Sequence, residues 1–369
     1  MPLSTFKLIE GASRNPNYQV YVVLPEPGEF SRQLNSLSVT VRIIKFKRLR
    51  ISPVNLIKFA ITFLESGLAF RRFLVSEKIE LVHFSDIIDA PFYVWSFLAS
   101  VKNIAHVRIN FGGIPGRLLL RWWTSLFCSR VICISESIRS NYGFDSEKCR
   151  VIYNSGPDRN LFDKNKVTPL AHLQRGEKMG VLTIATFRSI KGLHLFLEIA
   201  SIVEQLKPGK AHFIIAGGKV DGHENYYERV LESARRLSLE DKLTITGELP
   251  HSQIPSVLAS STVLVHSPVC QEGLGGVVLE AIAMGVPVVA FDSGGIRECF
   301  RDRISGFLIP QFDCRAAAEK VTELLENSDM RQTVSQAAFI DLDKRFTYKS
   351  NLSNVHSCYN EVLGAMGEQ

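Results

Sequence analysis

At 369 residues, with 46% hydrophobic and 22% charged side chains, the chain has the length of about two domains with substantial cores and the composition of a globular rather than a disordered or fibrous protein. Its net charge of +6 comes without a recognised nucleic-acid-binding motif or a basic helix interleaved with a stacking platform, which argues against a nucleic-acid partner. Seven cysteines at scattered spacings form no Cys-x-x-Cys pair, so the pattern offers no zinc site and fits reduced thiols in a cytoplasmic protein; no run of 18 apolar residues exists, and residues 1–7 lack the apolar centre of a signal peptide.

The opening stretch, Ser4-Thr5-Phe6-Lys7-Leu8-Ile9-Glu10-Gly11, reads as a helix. Strand-like runs follow at residues 18–24, 39–44, 79–84, 104–109, 131–134 and 151–153, alternating with helical segments, and this alternation implies a parallel sheet with helices on both faces. Between the second and third runs, Arg42, Lys45, Lys47, Arg48 and Arg50 precede an apolar stretch at 54–70 that Arg71 and Arg72 close. A basic, aromatic helix of this kind suits either an anionic membrane surface or domain packing. His106-Val107-Arg108 ends the fourth run, at the carboxyl edge of the sheet where α/β clefts form, so His106 is either a packing histidine or a group facing substrate. A polar linker, 164–179, leads to a second series of strands at 181–185, 211–216, 243–246, 262–266 and 286–291, and residues 345–363 form a terminal helix. The expected division is 1–163, 180–344 and a terminal segment 345–369.

The most informative stretch is Ser267-Pro268-Val269-Cys270-Gln271-Glu272-Gly273-Leu274-Gly275-Gly276-Val277-Val278-Leu279-Glu280-Ala281. It lies between a buried strand and a helix predicted over 277–284 and closed by Gly285. Eight helical residues would place the two carboxylates about 12 Å apart and roughly 80° out of phase, beyond the ~5–9 Å of a glycosidase dyad. Glu272 and Glu280 therefore touch different parts of one long ligand, with helix-start amides and loop glycines between them as a seat for a phosphate. Gly273-x-Gly275, with Asp292 at the end of the next strand, also suggests a dinucleotide fingerprint, but Val278 stands where its third small residue should pack.

Glu272-Gly273-Leu274-Gly275 and Leu279-Glu280-Ala281 resemble the signature of the retaining glycosyltransferases of family 4, the group 1 transferases. Val131-Ile132-Cys133-Ile134-Ser135-Glu136-Ser137-Ile138, followed by Cys149-Arg150-Val151-Ile152-Tyr153-Asn154-Ser155-Gly156-Pro157-Asp158, is similar to the ending of that family's first domain, with one extra residue between Asn154 and Gly156. Lys191-Gly192 matches the family's Lys-Gly; Thr186 replaces its usual arginine, while Arg188 stands two residues later. Ala216-Gly217-Gly218, Asp292-Ser293-Gly294-Gly295-Ile296-Arg297-Glu298 and Ser305-Gly306-Phe307-Leu308 stand at its glycine turns, and His106-Val107-Arg108 resembles its His-Ile-Arg segment. The likeness covers nearly all of residues 80–320.

The resemblance implies an α/β fold of two doubly wound Rossmann-like domains facing a cleft, the GT-B architecture, with the terminal helix crossing back to the first domain. It implies transfer of a sugar from a UDP- or GDP-sugar substrate to a saccharide or lipid-linked hydroxyl, with retention and no cofactor, in cell-surface polysaccharide or lipid-linked glycan synthesis. No metal is needed if Arg188 and Lys191 neutralise the diphosphate, and the basic helix would bring a cytoplasmic enzyme to the inner face of a membrane. Glu272 would lie beside the donor sugar, Glu280 would accept from ribose hydroxyls, and Arg188 and Lys191 would neutralise the diphosphate. Gly273, Leu274, Gly275, Gly276 and Gly217 would line the nucleotide, and His106 would stabilise charge on the donor sugar or orient the acceptor. Two alternatives stay open: a nucleotide-sugar epimerase of the same fold, and a truncated, non-catalytic nucleotide-binding protein. In one respect the chain departs from the family, which opens with a strand and a glycine-rich loop. A first strand lies at the centre of a doubly wound sheet, so the N-terminal domain is expected to leave two strands without a ladder partner, as it would if the start codon were placed too late.

Overall fold

In a computed structural model, residues 3–45, 53–111 and 113–364 are described. The chain divides into two compact units, Met1–Asn154 with Tyr348–Gln369, and Ser155–Thr347. The first unit runs α1 (Leu3–Ser13), β1 (Tyr21–Leu24), α2 (Glu29–Leu34), β2 (Thr40–Ile43), α3 (Pro53–Ser76), β3 (Leu81–Phe84), α4 (Tyr93–Leu98), β4 (Lys102–Val107), α5 (Ile114–Phe127), β5 (Arg130–Cys133), α6 (Glu136–Tyr142) and β6 (Cys149–Val151). The second contains β7 (Met179–Ile184), α7 (Leu193–Leu206), β8 (Ala211–Ala216), α8 (Glu224–Arg236), β9 (Leu243–Ile245), α9 (Ile254–Ala259), β10 (Val263–His266), α10 (Gly276–Ala283), β11 (Val288–Phe291), β12 (Phe307–Ile309), α11 (Cys314–Glu326) and α12 (Ser328–Arg345). The last helix, α13 (Tyr348–Leu363), belongs to the first unit.

In the second unit all six strands are parallel, in the order β12-β11-β10-β7-β8-β9. Every residue of β8 is buried, as expected of an apolar run covered on both faces. Leu193, Phe196, Leu197, Ala200 and Val203 of α7 recur at helical spacing and pack with Phe213 and Ile215 of β8 and Val321 and Leu324 of α11 in one core. The sequence reading places a glycine turn at 305–308. The structure shows a turn at residues 303–305 closed by a bridge between Asp302 and Gly306, after which the chain enters β12 beside β11; three residues are too few for periodicity to reveal a strand.

The first unit is organised differently. Its strands form two parallel sheets, β1-β2 and β3-β4-β5-β6, and among the described residues β1 pairs only with β2 and β3 only with β4. The break falls between β1 and β3, in agreement with the expectation that two strands of this domain go without a ladder partner. Two helices span it. On α3, Phe73 meets Tyr21 at a ring separation of 5.6 Å, and Phe70 meets Phe84 at 6.3 Å. On α1, Phe6 and Ile9 pack against Val22 and Leu24, while Leu8 joins Ile104, Ile132, Ile152 and Val355. The expected terminal helix over 345–363 begins only at Tyr348, because α12 continues through Arg345 and the buried Phe346 follows before the chain restarts. Of the basic cluster, Arg42 and Lys45 precede α3, which contains the predicted apolar stretch; Lys47, Arg48 and Arg50 lie outside the described residues.

All seven cysteines are free, with the Cys149 and Cys133 sulfurs 3.4 Å apart in a buried thiol contact. Among the described residues no helix is long and apolar enough to cross a membrane.

Candidate active site

Within the second unit, chain order reverses between the neighbouring strands β7 and β10, so the segments that leave their carboxyl ends, 185–192 and 267–275, diverge from one point. Such a reversal is where open α/β sheets bind ligands. The two segments are clamped backbone to backbone. Val269 N donates to Ile190 O at 3.0 Å, and Ser267 Oγ donates to Gly192 O at 3.2 Å. Gly192 has φ +69°, and a Cβ there would sit 1.8 Å from Ser267 O, so only glycine allows this approach. Gln311 Nε2 donates to Pro268 O and Val269 O at 3.1 and 2.9 Å. On the far side of the loop, Gly295 N donates to Glu272 O at 2.9 Å, and a Cβ on Gly294 would lie 2.2 Å from that same oxygen.

The consequence of these clamps is an ion pair between residues 81 positions apart: Lys191 Nζ lies 2.7 Å from Glu272 Oε1. Arg188, on the same segment as Lys191, is exposed and has no carboxylate partner among the described residues. Beside the pair, burial pushes the Cys270 thiol up and Glu272 adds to the rise, while Lys191 and Arg188 oppose it. Burial holds His266, at the end of β10, down to about 4, with Glu272 pulling it up and Lys191 pushing it further down.

Glu280 lies on α10, which starts one residue before its predicted position; its Oε1 is 2.9 Å from His251 Nε2. Gly273 and Leu274 meet the backbone of Gly295, whose Cβ would lie 2.1 Å from Gly273 O. Gly275 caps α10 against Ile296, whereas a Cβ on Gly276 would meet nothing within 4 Å, leaving the first turn of the helix open above its amides. Gly217, just after β8, approaches Ala185 so closely that a Cβ would sit 2.0 Å from its carbonyl oxygen. The structure thus joins Lys191 to Glu272, sets Arg188 on the same segment, and holds Glu280 through a different partner.

His106 lies in the first unit on β4, fully buried. Its Nδ1 is 3.2 Å from Arg108 Nη2 and 3.0 Å from His83 Nε2, and His83 Nδ1 is 2.6 Å from Tyr359 Oη on α13. Arginine can only donate, so His106 Nδ1 is an acceptor and its proton sits on Nε2. His83 Nε2–H must then donate to His106, and Tyr359 O–H to His83 Nδ1. Burial, with Arg108 adding to it, depresses both imidazoles, His83 to about 3 and His106 well below its ordinary value, in keeping with two neutral rings. Arg108 completes the network by donating to Ser85 O, Ser4 Oγ and Asn154 Oδ1 at 3.0, 2.7 and 2.8 Å. His106 Nε2 is left as a buried donor with no partner among the described residues.

Sequence reasoning missed His251, Gln311 and His266. His251 follows Pro250 in a short loop with no motif around it, and Gln311 acts on carbonyls more than 40 residues away. His266 alone carried a signal, since it ends the strand that leads into the Glu272 loop.

The sequence profile of the group 1 glycosyl transferases matches residues 170–340, and that of glycosyltransferase family 4 matches residues 4–155. The chain belongs to the group 1 glycosyltransferases of family 4. It is 33% identical over 159 residues to the alpha-D-kanosaminyltransferase of Streptomyces kanamyceticus, spanning 43% of this chain and 39% of that protein. To the D-inositol 3-phosphate glycosyltransferase of Salinispora arenicola it is 26% identical over 238 residues, spanning 61% and 53%. The chain thus spans about two fifths to half of the length of these relatives. Among solved structures, Anabaena HepE in complex with UDP and glucose matches with a TM-score of 0.79 at 20% identity over 97% of this chain and 96% of that one. A glycosyltransferase from Rickettsia africae matches with a TM-score of 0.81 at 20% identity over 97% and 94%. The α/β fold with its parallel sheets is therefore of the GT-B type.

Proposed function

We propose that the protein transfers a sugar from a nucleoside diphosphate sugar to a hydroxyl group of a saccharide or lipid-linked acceptor, with retention at the anomeric carbon. The observation that carries this reading is the Lys191–Glu272 pair where β7 and β10 release the chain, with Arg188 exposed on the same segment. Lys191, Arg188 and the first-turn amides of α10 beyond Gly276, whose own N–H donates to Leu274 O at 3.0 Å, are the donors that would seat a diphosphate, and Glu272 is held 2.7 Å from the lysine that would grip it. Charge on the departing diphosphate is the largest to develop in such a transfer, and fixed cations and amides oppose it without reorganisation. Glu272, tied by its own backbone to Gly295, positions the sugar and answers positive charge on its ring, while the leaving phosphate oxygen takes the acceptor's proton. Glu280, turned by His251, accepts from the ribose hydroxyls. UDP and UDP-glucose, bound by the Anabaena neighbour, make uridine the first nucleotide to try, with GDP second. The diphosphate is held by side-chain cations and amides in this scheme, so no metal or cofactor takes part. His106, fully buried beside His83 and Arg108, serves in this scheme as a tie within the first unit rather than as a contact to the acceptor.

The acceptor is proposed to be carried by a membrane in the making of cell-surface or lipid-linked glycans, with the enzyme resting on the cytoplasmic face. Calorimetric titration of the protein with UDP, GDP and ADP, without divalent metal, tests the donor half. One nucleotide should bind and lose ~10–100-fold in affinity, about 1.4–2.7 kcal/mol, in Glu280→Ala. Binding that is equal in the variant, or absent from a folded protein, refutes the assignment. Incubation of a radiolabelled donor with membranes separates transfer to lipid from an epimerase, which would alter the free donor, and from a silent binding protein.

A further inference from the structure

Helix α5 carries Ile114, Leu118, Leu119, Trp122 and Leu126 on one stripe, at 66, 55, 62, 59 and 50% exposure. Five large apolar side chains at spacings of four, one, three and four residues lie along the outer face of a single helix, while its inner face is anchored by the buried Thr124 and by Trp123 Nε1, which donates to Ala90 O at 2.7 Å. The exposed surface continues at both ends. Phe111 precedes the helix at 51% exposure, and Phe97 of α4, half-exposed, meets Phe127 at a ring separation of 5.5 Å. A contiguous apolar face of this kind on a water-soluble fold marks a contact surface.

Charge selects the partner. Helix α5 contains Arg117 and Arg121 and no acidic residue, and Arg71 of α3 reaches the same neighbourhood by donating to Leu98 O at 3.3 Å. Residues 40–127 hold thirteen Lys and Arg against five Asp and Glu, a net +8 that exceeds the +6 of the whole chain. A second copy of this face would bring like charges together, whereas an anionic lipid surface offers both the opposite charge and an apolar layer for the leucines. Tryptophan, with an apolar body and an indole N–H, fits the headgroup boundary. Resting on the membrane reading above, we propose that the outer face of α5 inserts into the headgroup layer of an anionic bilayer, with Trp122, Leu118 and Leu119 as the wedge and the arginines beside them on lipid phosphates. The basic stretch before α3 then adds attraction, and α5 supplies the apolar hold.

Co-sedimentation with vesicles of phosphatidylcholine alone and with added phosphatidylglycerol, run on the wild-type chain, Leu119→Glu/Trp122→Glu and Trp122→Phe, tests this. The wild type should pellet with the phosphatidylglycerol vesicles only, the double variant should lose at least about tenfold in vesicle affinity while keeping its nucleotide binding and thermal midpoint, and Trp122→Phe should lose the vesicle-induced blue shift of tryptophan emission. Equal pelleting by wild type and double variant overturns α5 as the anchor and leaves membrane docking to another surface. No pelleting by the wild type overturns both this assignment and the membrane reading. A wild type that is dimeric in sizing columns, with a monomeric double variant and no lipid preference, makes the face a self-association surface and overturns the proposal as well.

Discussion

The two units use the same strand-and-helix alphabet to different ends. In the Ser155–Thr347 unit six strands pair without a break and the reversal between β7 and β10 is complete, so two loops can be clamped at hydrogen-bond distance and a lysine and a glutamate meet across 81 residues. In the first unit the ladder is interrupted between β1 and β3, and its polar residues run inward: His83, His106, Arg108 and Tyr359 form a buried relay that holds β3, β4, α1 and α13 together. An intact sheet frees its strand ends for chemistry, whereas an interrupted one uses its strand-end polar groups as internal ties.

The sharpest way to break this contrast is at Glu272. Glu272→Ala should lower turnover by ~10²–10³-fold with little change in thermal midpoint, the range for losing one preorganised electrostatic group; a variant that keeps near-wild-type turnover would remove Glu272 from the chemistry. Next in size is a pair of glycines. Gly192→Ala forces a Cβ to 1.8 Å from Ser267 O at φ +69° and should cost several kcal/mol, read as a fall in thermal midpoint. Gly276→Ala meets no atom within 4 Å and should leave stability within about 1 kcal/mol while weakening nucleotide binding, because its methyl would crowd the following amides of the first turn of α10. If both variants unfold alike, the clamped-loop account fails.

Acid should strain the first unit's ties. His83 and His106 have folded-state values well below their unfolded 6.5, so the stabilisation they carry is complete above pH 6.5 and is lost as pH falls, because the unfolded chain takes up protons that the buried rings refuse. At pH 5 the His83 ring, held to about 3, should cost about 2 kcal/mol relative to neutral pH, and His106 adds a loss of the same sign. His266, held to about 4, adds a third such group in the other unit. Chemical denaturation at pH 7 and pH 5 measures the loss, and an unchanged midpoint would contradict the neutral relay. A smaller loss than the acid effect is expected from Tyr359→Phe, which removes the donor to His83 Nδ1 and should cost ~1–2 kcal/mol without altering nucleotide affinity.

Much of this was legible in the chain. The run at residues 211–216 matches β8 end to end because a strand buried on both faces is apolar throughout, and the strand–loop–helix around Glu272 was readable from its glycines. The expectation that two strands of the first unit go without a ladder partner also matches the separate sheets β1-β2 and β3-β4-β5-β6. What escaped was set by distant backbone contacts. The Lys191–Glu272 pair depends on Gly192 accepting a left-handed φ against Ser267, and the hold on Glu280 depends on His251, whose loop position carries no periodic signal. The burial of His106 could not be foreseen either, because its partners come from β3, from Arg108 and, through His83, from the last helix.

That last helix has a consequence for how the molecule comes into being. Val355 and Cys358 of α13 sit in the same core as Leu8, Ile104 and Ile132, and Tyr348 Oη donates to Lys7 O at 3.1 Å. On the ribosome, the Ser155–Thr347 unit has all its strands before α13 exists, whereas the unit that is synthesised first must wait for the final helix to close it. The unit whose chain is made first completes its core only once α13 has been added.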